Sequence, residues 1–175
     1  MIGVTSDGGR RHWCPPYRCL NLSFSALTLS RRVARPADYE FARKAHHAAY
    51  RDVAERQFGP WDEVRQDQFF ARDWQGATFE VLEWDGVPCG YTAIEEREND
   101  VHVRELVIHP DFQRLGIGST VLREAMRTAE DRSVPVHLGT FVLNHARRLY
   151  ERMGFVEVGR DKTHVTLRWT RDRVS

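Results

Sequence analysis

The stretch HPDFQRLGIGS, residues 109–119, decides how the rest of the chain is read. Gly116 and Gly118 stand one residue apart, directly ahead of a segment with helical spacing. Glycine has no Cβ and so permits left-handed backbone angles and close approach of a ligand. A helix start adds unpaired N–H groups and the positive end of the helix dipole. Together these suit an anion, above all a phosphate. If the loop curls over the helix start, the N–H groups of Gln113, Arg114, Leu115, Gly116, Ile117 and Gly118 point into one concavity, with Ser119 just behind. Arg114 would add a positive charge. The plainer alternative is a tight strand-to-helix turn.

Two common phosphate loops do not fit. A Walker loop places Lys and Ser/Thr straight after its second glycine, and no lysine precedes Ser119. The dinucleotide fingerprint needs Gly or Ala three residues after the second glycine, and Val121 stands there. The loop also follows a fourth strand rather than a first one.

Working outward, the pattern is mixed α/β. Residues 26–34 read as a strand, and Pro36 with Asp38 as N-cap opens a helix carrying Phe41, Ala42, Ala45, Ala48, Ala49 and Val53 on one face. The segment FGPW, 58–61, breaks it. A second helix carries Val64, Phe69, Phe70 and Trp74. Strands follow at 77–84, 87–96 and 101–108, the first two joined by the hairpin signal Asp85-Gly86. After the glycine loop, Val121, Leu122, Ala125, Met126 and Ala129 share a helix face. A fifth strand spans 134–142. Asn144 caps a short helix that Gly154 ends, and strands at 155–160 and 165–169 close the chain.

Composition sets the outer bounds. At 175 residues, one domain is expected, and 41% hydrophobic residues suffice for a core. Residues 1–35 hold six arginines against one acid, +5, leaving 20 basic and 24 acidic residues, −4, in the remainder. An acidic body argues against nucleic acid as a partner. Residues 1–25 carry Gly-Gly, Arg-Arg and Pro-Pro pairs without periodicity and read as a poorly ordered extension, with the folded domain at 26–175. Three cysteines form no disulfide framework, and the eight histidines show no metal spacing. No apolar run reaches membrane-spanning length. A cytoplasmic protein is expected.

The segment QRLGIG, 113–118, resembles the acyl-CoA pyrophosphate loop of the GNAT superfamily of N-acetyltransferases, with the pattern Gln/Arg-x-x-Gly-x-Gly/Ala. The preceding LVIHPDF matches that family's strand and turn, and NHARRLYERMGF, 144–155, is similar to its second signature. The resemblance implies the GNAT fold: a central mixed, mostly antiparallel sheet of about seven strands, a splayed fourth and fifth strand, and about four helices. It implies acetyl-CoA as co-substrate and direct acetyl transfer to a primary amine. The acceptor is expected to be a small molecule. A protein N-terminus or lysine, or a non-catalytic acyl-CoA sensor, are the alternatives. A homodimer is compatible with the family.

Residue roles follow from the same resemblance. Tyr150 corresponds to the general acid near the thioester sulfur; a core aromatic is the alternative. With ordinary pKa values of about 10 for a phenol and about 8.5 for a thiol, proton transfer to the thiolate is expected to run downhill. Ile108, next to Val107, supplies the backbone donor to the thioester oxygen, and a bulge in this strand opens the gap for the pantetheine arm. Glu105 is the first candidate base and His102 the second. Their spacing puts them on opposite faces unless a bulge intervenes, and a salt bridge from Glu105 to Arg97 or Arg104 is the alternative. Asn144 reaches the pantetheine amides or merely caps. Arg148 and Arg152 meet the 3′-phosphate or simply face water. His46, Tyr50, Phe58, Trp61 and the segment 161–164, with Asp161 for a cation, are candidates for the acceptor side.

Overall fold

The computed structural model describes residues 28–171. The expected extension at 1–25, with Cys14 and Cys19, and the first residues of the expected opening strand lie outside the described residues.

Seven strands form one sheet: β1 Leu29–Val33, β2 Glu80–Trp84, β3 Val87–Glu96, β4 Val101–Ile108, β5 Val136–Phe141, β6 Val156–Arg160 and β7 His164–Trp169. Their spatial order is β1-β2-β3-β4-β5-β7-β6. All neighbours are antiparallel except β4 and β5, which run parallel. Four helices accompany the sheet: α1 Tyr39–Phe58, α2 Glu63–Gln75, α3 Ile117–Asp131 and α4 Arg147–Arg152. The fold class read from the sequence is the one observed. Among the described residues, no helix is long and apolar enough to cross a membrane.

The apolar residues divide between two faces. Leu122, Ala125 and Ala129 of α3 pack on Val101, Val103, Val136, Leu138, Val165 and Leu167, joined by Tyr150 and Phe155. Ala42 and Ala45 of α1 and Phe70 of α2 pack on Phe79, Tyr91, Ala93 and Val107 from the other face.

Local chemistry explains the boundaries. Asp85 and Gly86 both take positive φ, 53° and 78°, as a two-residue hairpin turn requires. Gly59 ends α1 at φ 94°. Gly154, also at φ 94°, ends α4: its N–H bonds Glu151 and the Phe155 N–H bonds the Tyr150 carbonyl, a Schellman closure. Gly90 is required for a different reason, because a Cβ there would lie 2.2 Å from the Val107 carbonyl oxygen.

Two expectations need correction. Asp38 does not cap α1 with its side chain. Its carboxylate turns back to the Arg35 N–H and to both terminal nitrogens of Arg32, at 2.7 and 2.8 Å, which is the stronger charge-assisted bond and holds its pKa down at about 2. On α2 only Phe70 of the expected face is buried. Val64 is exposed, and Phe69 lies between the guanidinium groups of Arg65 and Arg72.

Candidate functional site

The site begins with a strand irregularity. Along β3 and β4, Ala93 stands opposite Glu105 while the next residue, Ile94, stands opposite Val103. Arg104 is therefore an extra residue, a β-bulge, and everything after it changes face. Before the bulge Val101 and Val103 face α3. After it Val107 faces α1 and α2. The bulge also brings His102 and Glu105 to one face despite their odd spacing.

The same irregularity opens the sheet. β5 pairs with β4 only at Val101, His102 and Val103. Beyond Val103, no strand among the described residues lies beside the far edge of β4. The His109 N–H bonds the Cys89 carbonyl on the β3 side, so alternation turns the Ile108 N–H the other way, into the gap. The Gln113 amide ties the loop to the Ile108 carbonyl at 3.0 Å.

Glu105 sits at the mouth of this gap. The Tyr50 hydroxyl donates to its Oε2 at 3.3 Å. Burial pushes its carboxyl up to about 7, only partly opposed by the Tyr50 bond, with the Asp73 charge raising it further and Arg104 lowering it slightly. The alternative salt bridge is not formed: Arg97 and Arg104 both pair with Glu95. Tyr150, on α4, is buried and lies close enough to Glu105 to feel its charge. Burial first, then Glu105, pushes its phenol up to about 12. This corrects the simple view of proton transfer. Passing a proton from a phenol to a thiolate is uphill even at ordinary values, and burial steepens the climb.

His102 stands apart from this pair. It lies in the closed part of the sheet, opposite His137, three residues and on the order of 10 Å from Glu105 along the strand. Burial and then Arg97 lower its pKa.

The glycine loop has the form of an anion nest. Arg114 and Gly116 both take positive φ, 65° and 83°, on either side of Leu115. Gly116 is the N-cap of α3. A Cβ on Gly116 would meet nothing within 4 Å, and one on Gly118 only Leu149 Cδ2 at 3.6 Å. The loop thus stands against open space. Gln113, Arg114 and Leu115 are exposed, Ser119 is half-buried, and the Ile117 side chain is buried with Phe112 and Val121, leaving only its backbone to the nest. The N-cap of α4 is Ala146 rather than the expected Asn144, which forms an Asx turn ahead of the helix by accepting from the Ala146 N–H at 2.9 Å and donates to Thr140 Oγ1 at 2.9 Å. Arg148 and Arg152 are exposed on α4.

The expected acceptor residues separate into two groups. Tyr50, which touches Glu105, and Phe58 share an aromatic cluster with Phe141, whose ring lies 5.8 Å from Tyr50, 5.3 Å from Phe58 and 4.8 Å from His164. His46 backs this wall, its ring 4.6 Å from Tyr50 and its Nδ1 2.9 Å from the Tyr91 hydroxyl. Burial pulls His46 down to about 4, so it is a neutral core histidine. Trp61 is corrected outright. It packs on His47 and under Arg51, donating to Glu63, on another face of α1. Asp161 is also spent. It accepts from the N–H groups of Thr163 and His164 and from the Thr163 hydroxyl, so it shapes the β6–β7 turn.

Two residues escaped sequence reasoning. Phe141 ends a strand and shows no motif. Gln57 donates to the Thr163 carbonyl at 2.7 Å and accepts from the Leu143 N–H at 3.1 Å, pinning α1 to both loops beside the wall.

His47, Glu63 and Asp67 also converge, although their spacing resembles no metal motif. Glu63 faces His47 Nδ1 at 3.1 Å and Asp67 lies 3.2 Å from Nε2. One ligand atom from each of the three lies within 4.8 Å of the others. Arg51 and Arg43 hold the two carboxylates, at 2.6 and 2.8 Å, and these two ion pairs clasp α1 to α2.

Residues 43–155 match the model of the Acetyltransferase (GNAT) family. Among solved structures, the chain is similar to a PaiA N-acetyltransferase from Thermoplasma acidophilum in complex with coenzyme A, at TM-score 0.63 and 16% identity, covering 82% of this chain and 99% of that one. It is similar to an acetyltransferase from Thermus thermophilus, at TM-score 0.63 and 18% identity, covering 82% and 97%. YncA from Salmonella typhimurium, with its cofactor acetyl-CoA, is 22% identical at TM-score 0.51, covering 83% and 95%. At these identities the likeness is one of fold. No curated protein matches the chain.

Proposed function

Because this chain belongs to the GNAT acetyltransferase family, we propose that it transfers an acetyl group from acetyl-CoA directly to a primary amine, with Glu105 as base. The observation that carries this is the Arg104 bulge. It turns Glu105 under Tyr50, beside Tyr150, where β4 and β5 part.

The residues present fit acetyl-CoA. The Gly116 nest and the α3 N-terminus suit a pyrophosphate, the β4 edge suits an extended amide arm, and no described residue fills the space at Gly116. Arg114, Arg148 and Arg152 are exposed cations for its phosphates. Acetyl-CoA supplies an activated acetyl thioester. The chain does the rest. Glu105, poised at about 7, takes a proton from the incoming ammonium. The amine nitrogen bonds to the acyl carbon while the carbon–sulfur bond breaks, its electron pair leaving on sulfur. The Ile108 N–H donates to the thioester oxygen. Tyr150, too weak an acid to surrender its proton readily, donates a hydrogen bond to the sulfur as charge gathers there. The nitrogen sheds its second proton, which reaches the departing thiolate through water; the amide and the coenzyme A thiol are the products, and Glu105 returns its own proton to solvent.

Thiol release from acetyl-CoA, followed across a set of primary amines, tests this. Release with an amine, reduced by Tyr150→Phe and by Gly116→Val, is expected. Tight acetyl-CoA binding with no release on any amine or peptide would instead favour the sensor.

A further inference from the structure

Resting on that reading, the wall beside Glu105 indicates which amine is taken. Phe141 stands among Tyr50, Phe58 and His164, with ring centroids between 4.8 and 5.8 Å. Phe58 is 54% exposed at the end of α1, a large apolar surface left to water beside the site. A bound apolar group would cover it.

The charges around this wall point the same way. Asp161 is occupied by three donors in its own turn. Asp52 is held by Arg56. Glu55 is exposed and lies about 140° round the helix from Tyr50 but only about 60° from Phe58. Asp73 acts on Glu105 from α2 but is engaged by Arg72. Arg104 faces Glu95 and the Gly76 carbonyl. Lys162 lies on the β6–β7 turn, and Arg56 reaches the Leu143 carbonyl at the rim. Among the described residues, Glu105 is thus the carboxylate beside Tyr50 with no ion pair, while Glu55 is the exposed carboxylate near Phe58. A primary ammonium meets aromatic faces and then Glu105, both favourable. A second ammonium on a short molecule would take the place of an apolar group against these rings.

We propose that the acceptor is a primary monoamine carrying an aromatic or bulky apolar group, seated against Phe58 and Phe141. A short diamine is taken less well, because its second ammonium would displace apolar contact with these rings.

Calorimetric titration of the full chain saturated with coenzyme A tests this, using 2-phenylethylamine and 1,4-diaminobutane, with thiol release from acetyl-CoA measured in parallel. 2-Phenylethylamine is expected to bind at least about tenfold more tightly. Phe141→Ala and Phe58→Ala should each weaken it about fivefold or more and so narrow its advantage over 1,4-diaminobutane. Phe58 is exposed, so its variant keeps the test valid should Phe141→Ala unfold. Absent or weaker binding of 2-phenylethylamine, relative to the diamine, overturns the proposal whatever the turnover. Preferential binding of 2-phenylethylamine without thiol release would uphold the ligand class and overturn acetyl transfer instead.

Discussion

Glu105 carries two opposed demands. A base must accept a proton near neutrality, and burial makes its charged form costly. Its folded pKa, about 7, lies above the 4.5 of a free glutamate. The native state therefore holds a proton that the unfolded chain has released, and stability falls as pH rises from 4.5 to 7. By pH 8 the cost is about 3 kcal/mol. Glu105→Gln keeps an oxygen for Tyr50 and removes the charge. It is expected to melt several degrees higher than wild type at pH 8 while losing at least about a hundredfold in kcat/KM. Equal melting temperatures would show that the carboxylate is not buried as described. Tyr150→Phe should lower kcat about tenfold or more with little change in KM, because its bond to sulfur matters only as charge develops. Steady-state kinetics distinguishes this from a packing role, which would move the melting temperature instead.

Strands and loops show what a sequence can and cannot reveal. The glycine loop, the DG hairpin and the Gly154 stop were legible because each demands backbone angles that few residues allow. All seven strands and four helices were legible in order, through their hydrophobic periods. The bulge was not legible at Arg104 itself. Nothing in VHVRELVI marks which residue is extra; the register against β3 decides it. Glu105 could therefore be named from the family resemblance, but its face could not. The aromatic wall failed differently. Tyr50 and Phe58 were readable as helix aromatics, but Phe141 and Gln57 reach them only through the packing of distant segments. Trp61 was misread because Glu63 and Arg51 draw it to another side of the helix. Gly90 offers a test at this scale. A methyl group there meets the β4 backbone at 2.2 Å, and a backbone cannot swing aside as a side chain can. Gly90→Ala should cost about 2–4 kcal/mol in chemical denaturation. A neutral result would mean that β3 and β4 lie farther apart than described.

Over the whole molecule, two buried groups titrate in opposite senses. His46 is held down at about 4, so below 6.5 the unfolded chain binds a proton that the native state refuses, and stability is lost as pH falls from 6.5 towards 4. Glu105 acts the other way from 4.5 upward. Between 4.5 and 6.5 their slopes offset each other. His102, also lowered by burial, adds to the His46 slope, so Glu105→Gln should show stability rising with pH more steeply than wild type across that window. Parallel curves for the two proteins would remove one of these groups from the account. The sheet, the loop and the Glu105 pocket all fall within 28–171. The measurement that bears most directly on the account is kcat/KM against pH, for wild type and Glu105→Gln, with acetyl-CoA saturating and a primary amine varied. The account predicts a limb rising through an apparent pKa near 7 in wild type, and its loss together with most of the activity in the variant. An unchanged limb in Glu105→Gln would contradict it, and the base would have to be sought elsewhere.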